Sequence, residues 1–162
     1  NVVAGLTSAQ IRAIYIGEIT NWKEVGGADK NIVILSRESN SGTHVFFKEH
    51  ILRKGKSKGP EEYGPKTLFM PSTQAIVDEV AKNDAAIGYI GLGYLDKNVK
   101  VIKVDGVEAS VANVKNKTYP ISRGLYFYTN GEGKGDAKKF IDFMFSTAGQ
   151  AIVAKEGFVT IK

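Results

Sequence analysis

The sequence contains no cysteine, one tryptophan and two histidines, and it has no long apolar run. Without cysteine, the chain cannot form a disulfide, a zinc–thiolate site or a thiol nucleophile. No window of about 18 apolar residues is present, so no membrane-spanning helix is predicted. His44 and His50 lie on different faces of a predicted helix, and no carboxylate cluster accompanies them. The sequence therefore predicts neither a metal site nor a cofactor, and we expect His44 to be solvated.

Basic residues outnumber acidic ones in this chain of 162 residues, with 22 Lys and Arg against 17 Asp and Glu. The net charge of +5 makes nucleic acid, anionic membrane surfaces and small anions candidate partners, although a solvated lysine-rich surface explains it more simply. The most basic stretch, RKGKSK within residues 53–64, has no interleaved aromatic side chains. We therefore expect a solvated loop there and no nucleic-acid partner.

Strand-like and helix-like segments alternate along the chain. Thr7-Ser8-Ala9-Gln10 has the form of a capping box, which predicts a helix that ends at Gly17. A continuous apolar run over residues 31–36 is typical of a buried parallel strand, and the pattern predicts further strands over 85–90, 99–104, 119–128 and 158–161. Further helices are predicted after Ser41, after Pro71, and from Asp136 through Ile152, the last over about four turns. Such alternation predicts an α/β fold with a mixed, mostly parallel sheet flanked by helices.

The segment RESNSGT, residues 37–43, follows the strand predicted at 31–36 and leads into a helix. The first turn of a helix has free backbone N–H groups and a dipole that favours negative charge, so it can bind an anion. Ser41 and Thr43 supply hydroxyl donors, and Gly42 lets an oxyanion approach the backbone. Arg37 adds a fork of charged donors suited to two oxygens of one phosphate. The alternative is that Ser41 is an ordinary N-cap and Arg37 a solvated surface residue.

Ser39 and Ser72 are lesser candidates for the same site. Ser72 heads the third predicted helix, where it either caps that helix or directs its amide towards the anion. Tyr89 and Tyr94 either line a cleft or pack as amphipathic aromatics, and Trp22 is expected to pack in an interior.

Several stretches resemble the phosphate-binding proteins of bacterial phosphate ABC transporters, which are two-lobed, periplasmic-type binding proteins. The matching stretches are LTSAQIRAIYIGEITNWKEVGG (6–27), ILSRESNSGTHVFF (34–47), AAIGYIGLGYL (85–95), YPISRGLYFYT (119–129) and KFIDFMFSTAGQAIVAKEGFVTI (139–161). The resemblance implies that the phosphate-contacting residues are Arg37, Ser41, Gly42 and Thr43. It also implies a type II binding-protein lobe that captures inorganic phosphate with high affinity and without catalysis. The phosphate would be delivered to the membrane permease of an ABC transporter, from the periplasm or from a cell-surface lipoprotein.

Two departures from the family pattern matter. Ser39 stands where the family often has an aspartate that pairs with the arginine, so the partner of Arg37 is either Glu38 or none. A long first-lobe segment that the family carries before the position of Asn1 is absent, which suggests a fragment, a cleaved chain or half of a two-piece assembly. The resemblance then implies three parts, with residues 6–119 as the second lobe, 1–5 and 119–123 as hinge crossings, and 124–162 as the C-terminal segment of the first lobe. An apolar face containing Phe140 would need the missing part, in this or another chain, as its partner.

Three alternatives stay open. The ligand could be another tetrahedral oxyanion, such as sulfate, molybdate or tungstate. The chain could be an enzyme acting on phosphate esters with Ser41 as nucleophile, but the sequence shows no base beside it. The lobe could also serve only as an interaction module for another chain.

Overall fold

The computed structural model describes residues 1–161, which form an α/β fold around short parallel strands. The described strands are β1 (Gly5–Leu6), β2 (Val33–Arg37), β3 (Leu68–Met70), β4 (Ala86–Ile87) and β5 (Lys103–Val104). One sheet has the order β3-β2-β4, and β1 pairs with β5. Every one of these pairings is parallel, which confirms the predicted fold class.

Helices pack against these strands and connect them. The α-helices of residues 1–161 are α1 (Ser8–Ile16), α2 (Gly42–Phe47), α3 (Thr73–Lys82), α4 (Val111–Lys115), α5 (Gly135–Phe145) and α6 (Thr147–Lys155). A π-helical stretch, Lys48–Leu52, continues α2, so the helical run after β2 extends over eleven residues. Within the described residues, none of the helices combines the length and apolar character needed to cross a membrane.

The first helix begins and ends where the sequence predicts. The Thr7 hydroxyl accepts a hydrogen bond from the Gln10 amide at 3.1 Å, and the Gln10 side chain accepts one from the Thr7 amide at 2.9 Å. These two bonds satisfy backbone donors that the helix itself leaves free. Gly17, with φ of 87°, ends the helix in the left-handed region that glycine adopts without strain.

The core lies on both sides of β2, the central strand. Leu35 is fully buried and packs with Ile76 from α3, whereas Ile34 belongs to a larger cluster with Ile14 and other residues from α1. Trp22 is buried in that larger cluster and donates from Nε1 to the carbonyl oxygen of Ala85 at 2.8 Å, as expected for a packing residue. Alternate residues of β2 thus fix two helical layers, and the strand end is held rigidly between them.

The later elements differ from the sequence-based predictions. Residues 119–128 and 158–161 form no strand, because no neighbouring strand in the described part of the chain offers them hydrogen bonds. The strands predicted at 85–90 and 99–104 shrink to β4 and β5. The long final helix is broken at Ser146, whose hydroxyl accepts from the Gly149 amide at 3.2 Å and so starts α6 as an N-cap. Local capping thereby overrides an apolar pattern that continues across the break.

Candidate functional site

The carboxyl ends of β2 and β3 lie side by side, with Arg37 paired to Met70 in the parallel register. A helix follows each strand, and a serine caps each helix. The Ser41 hydroxyl accepts a hydrogen bond from the His44 amide at 3.5 Å, and the Ser72 hydroxyl accepts one from the Ala75 amide at 3.0 Å. The two caps therefore bring two helix N-termini to the same edge of the sheet. Ligands of open parallel sheets bind at this edge, and both helix dipoles favour an anion there.

The guanidinium group of Arg37 is fixed by the start of α3. Its Nη1 donates to the Thr73 hydroxyl at 2.7 Å, and its Nη2 donates to the Pro71 carbonyl at 3.3 Å. Neither Glu38 nor any other acidic side chain within residues 1–161 forms an ion pair with it. The partners of Arg37 are thus a hydroxyl and a carbonyl, in place of the aspartate expected at position 39. They hold the guanidinium in position without neutralising its charge.

The Nε atom of Arg37 is buried and has no hydrogen-bond partner among the described residues. A buried donor without a partner costs about 1–3 kcal/mol, so such groups are rare unless a ligand or water completes them. Arg37 is therefore oriented by two bonds, and its Nε still lacks an acceptor.

The other predicted site residues follow in the turn after β2. Ser41 is buried, Thr43 is half-buried, and Ser39 and Gly42 are exposed. The Ser41 hydroxyl is engaged as an N-cap, whereas the Ser39 and Thr43 hydroxyls have no protein partner within residues 1–161. The structure thus brings Ser41, Gly42 and Thr43 together at the helix start, and it leaves the Thr43 hydroxyl free to donate to a ligand.

One residue at this turn was not predicted as part of the site. A Cβ atom placed on Gly42 would lie 3.2 Å from Nη2 of Arg123, so the guanidinium group of Arg123 overhangs the motif. The sequence puts Arg123 among the hinge crossings, eighty residues away in the chain. Its only local signal is a single charged side chain inside the otherwise apolar stretch YPISRGLYFY.

The segment containing Arg123 is attached along the outer face of α2. The Arg123 guanidinium lies 5.2 Å from the ring centroid of Phe46, in cation–π range. Phe46 in turn stacks on His50, with centroids 5.1 Å apart and planes inclined by 21°. Nε2 of His50 donates to the Pro120 carbonyl at 2.7 Å, since a carbonyl can only accept. Residues 120–123 therefore run beside the helix that starts at the motif.

His44, expected to be solvated, is buried instead. Its Nδ1 donates to the carbonyl oxygen of Arg37 at 2.7 Å and lies 3.3 Å from the Ser36 hydroxyl, so the ring points down into the sheet. Burial lowers the pKa of His44, although the hydrogen bond to the Arg37 carbonyl opposes this shift. A histidine of this kind supports the backbone under the motif and is not a solvent-exposed base.

A chain of hydrogen-bonded hydroxyl groups, from buried Ser36 to half-buried Tyr89 and Tyr63, continues below His44. The Ser36 hydroxyl lies 2.6 Å from the Tyr89 hydroxyl, which lies 2.9 Å from that of Tyr63. Tyr63 also donates to the His44 carbonyl at 3.2 Å. Burial raises the pKa of both tyrosines, so these groups stay protonated and act as neutral hydrogen-bonding groups. Tyr89 is thus a packing and hydrogen-bonding residue, and Tyr94 is exposed.

The arrangement suits anion binding better than catalysis at Ser41. Within residues 1–161, the one hydrogen bond of the Ser41 hydroxyl is its capping bond from the His44 amide, so no imidazole or carboxylate is positioned to take its proton. The described residues also include no group of three or more His, Asp or Glu side chains that could hold a metal.

Comparisons with known proteins agree with the family resemblance read from the sequence. The phosphate-binding protein PstS of Borreliella burgdorferi is 31% identical over 99% of this chain, and that of Bacillus subtilis is 32% identical over 98%. The chain spans 60% and 51% of the lengths of these two relatives.

Solved structures share the fold at similar coverage. A structure from Clostridium perfringens with bound phosphate, described as a substrate-binding protein of a phosphate ABC transporter, is 44% identical with a TM-score of 0.83. An ABC-type phosphate transport receptor from Vibrio cholerae is 32% identical with a TM-score of 0.85. The match covers 100% and 99% of this chain, respectively, and 65% of each of those chains. The family described as PBP superfamily domain matches residues 1–148, and this chain belongs to that family.

Proposed function

We propose that this chain binds inorganic phosphate at the edge formed by β2, β3 and the two serine-capped helices. The observation that carries the proposal is the buried, unpartnered Nε of Arg37, on a guanidinium that Thr73 and Pro71 already orient. Phosphate oxygens are strong acceptors, and an arginine fork with a fixed plane binds them with charge-assisted hydrogen bonds. The similar protein from Clostridium perfringens with bound phosphate supports the choice of ligand.

The proposed ligand contacts come from Arg37, Ser41, Gly42 and Thr43. The amides at the start of α2 would donate to the anion, and the Thr43 hydroxyl has no competing protein partner in the described structure. Ser39, exposed at the rim, and Ser72, at the start of α3, are lesser contributors. The Ser72 and Ser41 hydroxyls each accept a capping bond, and each keeps its O–H to donate to the anion.

The whole protein would capture phosphate outside the cytoplasm and deliver it to the membrane permease of an ABC transporter. In this proposal residues 6–119 form one lobe, 1–5 and 119–123 are hinge crossings, and 124–162 belong to the other lobe. Support comes from the side chains that the C-terminal part leaves exposed, since a lobe interior would cover them. They include Leu125, Tyr126, Phe127, Tyr128, Phe140, Phe143, Phe145, Ile152 and Phe158. The covering polypeptide would be the remaining part of the first lobe, in a longer chain or in a second one.

We also propose that the protein does not catalyse a reaction. The relatives are named as binding proteins or transport receptors, and among the described residues no imidazole or carboxylate bonds to the Ser41 hydroxyl to take its proton. A chromogenic phosphate ester incubated with the protein should therefore release no product above the buffer rate. Turnover that is lost in the Ser41→Ala variant would overturn this part of the proposal.

Isothermal titration of the full polypeptide with inorganic phosphate tests the binding proposal. Arg37→Ala should weaken binding about 10- to 100-fold, because a charge-assisted hydrogen bond contributes about 1.5–3 kcal/mol. Lys56→Gln is the matched control, since Lys56 carries the same charge in the exposed loop beyond the far end of the helical run. Equal affinity in the wild type and Arg37→Ala, or no heat of binding in the wild type, would contradict the proposal.

A second candidate is another tetrahedral oxyanion, and the uncompensated charge of Arg37 favours it. A binding site can distinguish phosphate from sulfate if it has an acceptor for the proton that phosphate carries. A carboxylate beside Arg37 could be such an acceptor, but within residues 1–161 no carboxylate pairs with Arg37. Titration with phosphate in the presence of sulfate, molybdate or tungstate separates the two candidates. Displacement of phosphate at equimolar competitor would support the second one.

A further inference from the structure

Arg123 is held over the anion motif by contacts that do not use its hydrogen-bonding groups. Its guanidinium carbon lies 5.2 Å from the centroid of the Phe46 ring, in cation–π range. Nη2 approaches Gly42 so closely that a Cβ atom there would lie 3.2 Å from it. The backbone of its segment is fixed independently, because His50 donates to the Pro120 carbonyl at 2.7 Å. Arg123 is thus placed beside the motif by a contact of its side chain and by a separate contact of its backbone segment.

The donors of Arg123 are unused within the protein. Among residues 1–161 it forms no ion pair and no hydrogen bond, although 17 acidic residues are present in the sequence. An arginine on a protein surface is easily neutralised by a nearby carboxylate, yet here the charge faces an exposed glycine. A Cβ atom at position 42 would crowd Nη2, so glycine is the residue that permits this close approach of the guanidinium to the motif.

We propose that Arg123 is a second anion-binding residue of this site, reaching across Gly42 to an oxygen of the bound oxyanion. This inference rests on the proposed function, in which Arg37 and the start of α2 hold the same anion. The ligand would then lie between two guanidinium groups, and neither of them is neutralised by a carboxylate in the described structure. Two uncompensated charges favour the doubly charged form of phosphate over the singly charged form.

The position of Arg123 also links the ligand to the segment at 119–123. Arg123 touches Phe46 and approaches Gly42, so an anion at Gly42 would add a third contact between this segment and α2. If the segment is a hinge crossing, as the proposed function has it, an occupied site would hold that crossing against α2. Ligand binding and the geometry of the crossing would thereby be coupled through one side chain.

Isothermal titration with inorganic phosphate at low and high ionic strength tests the inference on the full polypeptide. Arg123→Gln should weaken binding about tenfold at low salt, since one charge-assisted hydrogen bond at an exposed position is lost. It should also make the dissociation constant less dependent on salt, because one of the two charges that attract the anion is gone. Arg123→Lys keeps the charge but not the fork, so it should retain the salt dependence and only part of the affinity. Lys56→Gln should change neither quantity.

Circular dichroism melts of each variant show whether it folds. A folded Arg123→Gln variant with wild-type affinity and salt dependence would overturn the inference. If in the same series Arg37→Ala loses binding, the proposed function stands while the role of Arg123 falls. If the wild type itself binds no phosphate, both fall. A third outcome is that Arg123→Gln loses affinity for phosphate, Arg123→Lys does not restore it at low salt, and the salt dependence is unchanged. That outcome would assign Arg123 a purely structural role and would also overturn the inference.

Discussion

Arg37 and Thr73 join two elements that meet at one edge of the sheet. Nη1 of Arg37, the last residue of β2, donates to the Thr73 hydroxyl at 2.7 Å in the first turn of α3. The hydroxyl orients the guanidinium but leaves its positive charge uncompensated. A carboxylate in the same place would neutralise that charge. The site is therefore pre-organised and positively charged at once.

Replacement of Thr73 by valine should weaken phosphate binding about five- to tenfold. Valine keeps the shape but removes the acceptor, so the guanidinium loses a bond of about 1 kcal/mol that fixes its orientation. Isothermal titration measures the change. Thr118→Val is the matched control, because the Thr118 hydroxyl bonds to the Asn113 carbonyl at an exposed position. Wild-type affinity in Thr73→Val would show that Arg37 is oriented by something else.

Replacement of Ser36 by alanine should destabilise the fold by about 1–2 kcal/mol. The Ser36 hydroxyl lies within hydrogen-bond distance of Tyr89 and His44, and its loss leaves buried polar groups with fewer partners. Urea unfolding followed by circular dichroism gives the free energy of unfolding. Ser57→Ala, in the exposed loop, should change it by less than about 0.5 kcal/mol. Similar values for the two variants would argue against a cooperative hydroxyl network.

The free energy of unfolding should fall as the pH drops below the ordinary histidine pKa of 6.5, in part because of His44. Burial lowers the pKa of His44 in the folded state, so the unfolded chain binds the proton first and acid favours unfolding. The stabilisation is fully present above the ordinary value and is lost as the pH approaches the lowered one. His44→Asn, which keeps a donor near the Arg37 carbonyl, should flatten this dependence. Urea unfolding at pH 7.5 and 5.5 tests it, and an unchanged slope would contradict it.

Replacement of Gly93 by alanine should loosen the contact between the C-terminal part and the rest of the chain. A Cβ atom on Gly93 would overlap the backbone of Gly157, and backbone cannot move aside as a flexible side chain can. Such overpacking costs about 1–3 kcal/mol, which a thermal melt and faster proteolysis after α6 should reveal. Gly91→Ala is the control, because its Cβ would meet only Tyr94 Cδ2 at an ordinary 3.7 Å. Equal melting temperatures would show that the two segments separate without cost.

Features encoded within a few residues were predictable from the sequence. The capping box at Thr7 and Gln10, the strand that becomes β2 and the serine caps at Ser41 and Ser72 all depend on neighbours in the chain. Their hydrogen bonds close within three or four residues, so composition and spacing suffice to read them. The position of residues 37–43 between a strand and a helix was predictable for the same reason.

Features that depend on distant residues were not predictable. The residues that orient Arg37, the burial of His44 and the approach of Arg123 to Gly42 are all tertiary contacts. The strand predicted at 119–128 failed for a related reason, since strand-like residues form a strand only when another strand pairs with them. Ser146 shows the converse, because a local cap there ended a helix whose apolar face continues.

The open C-terminal part has a consequence for the handling of the purified chain. Leu125, Tyr126, Phe127 and Tyr128 are exposed in succession, with Tyr128 at 91%, in a segment without secondary structure. Consecutive exposed apolar side chains favour association with a second copy of the chain. Solubility should therefore fall steeply with protein concentration unless a further polypeptide covers this segment. Co-expression with such a polypeptide would then raise the yield without altering a single residue of the anion motif.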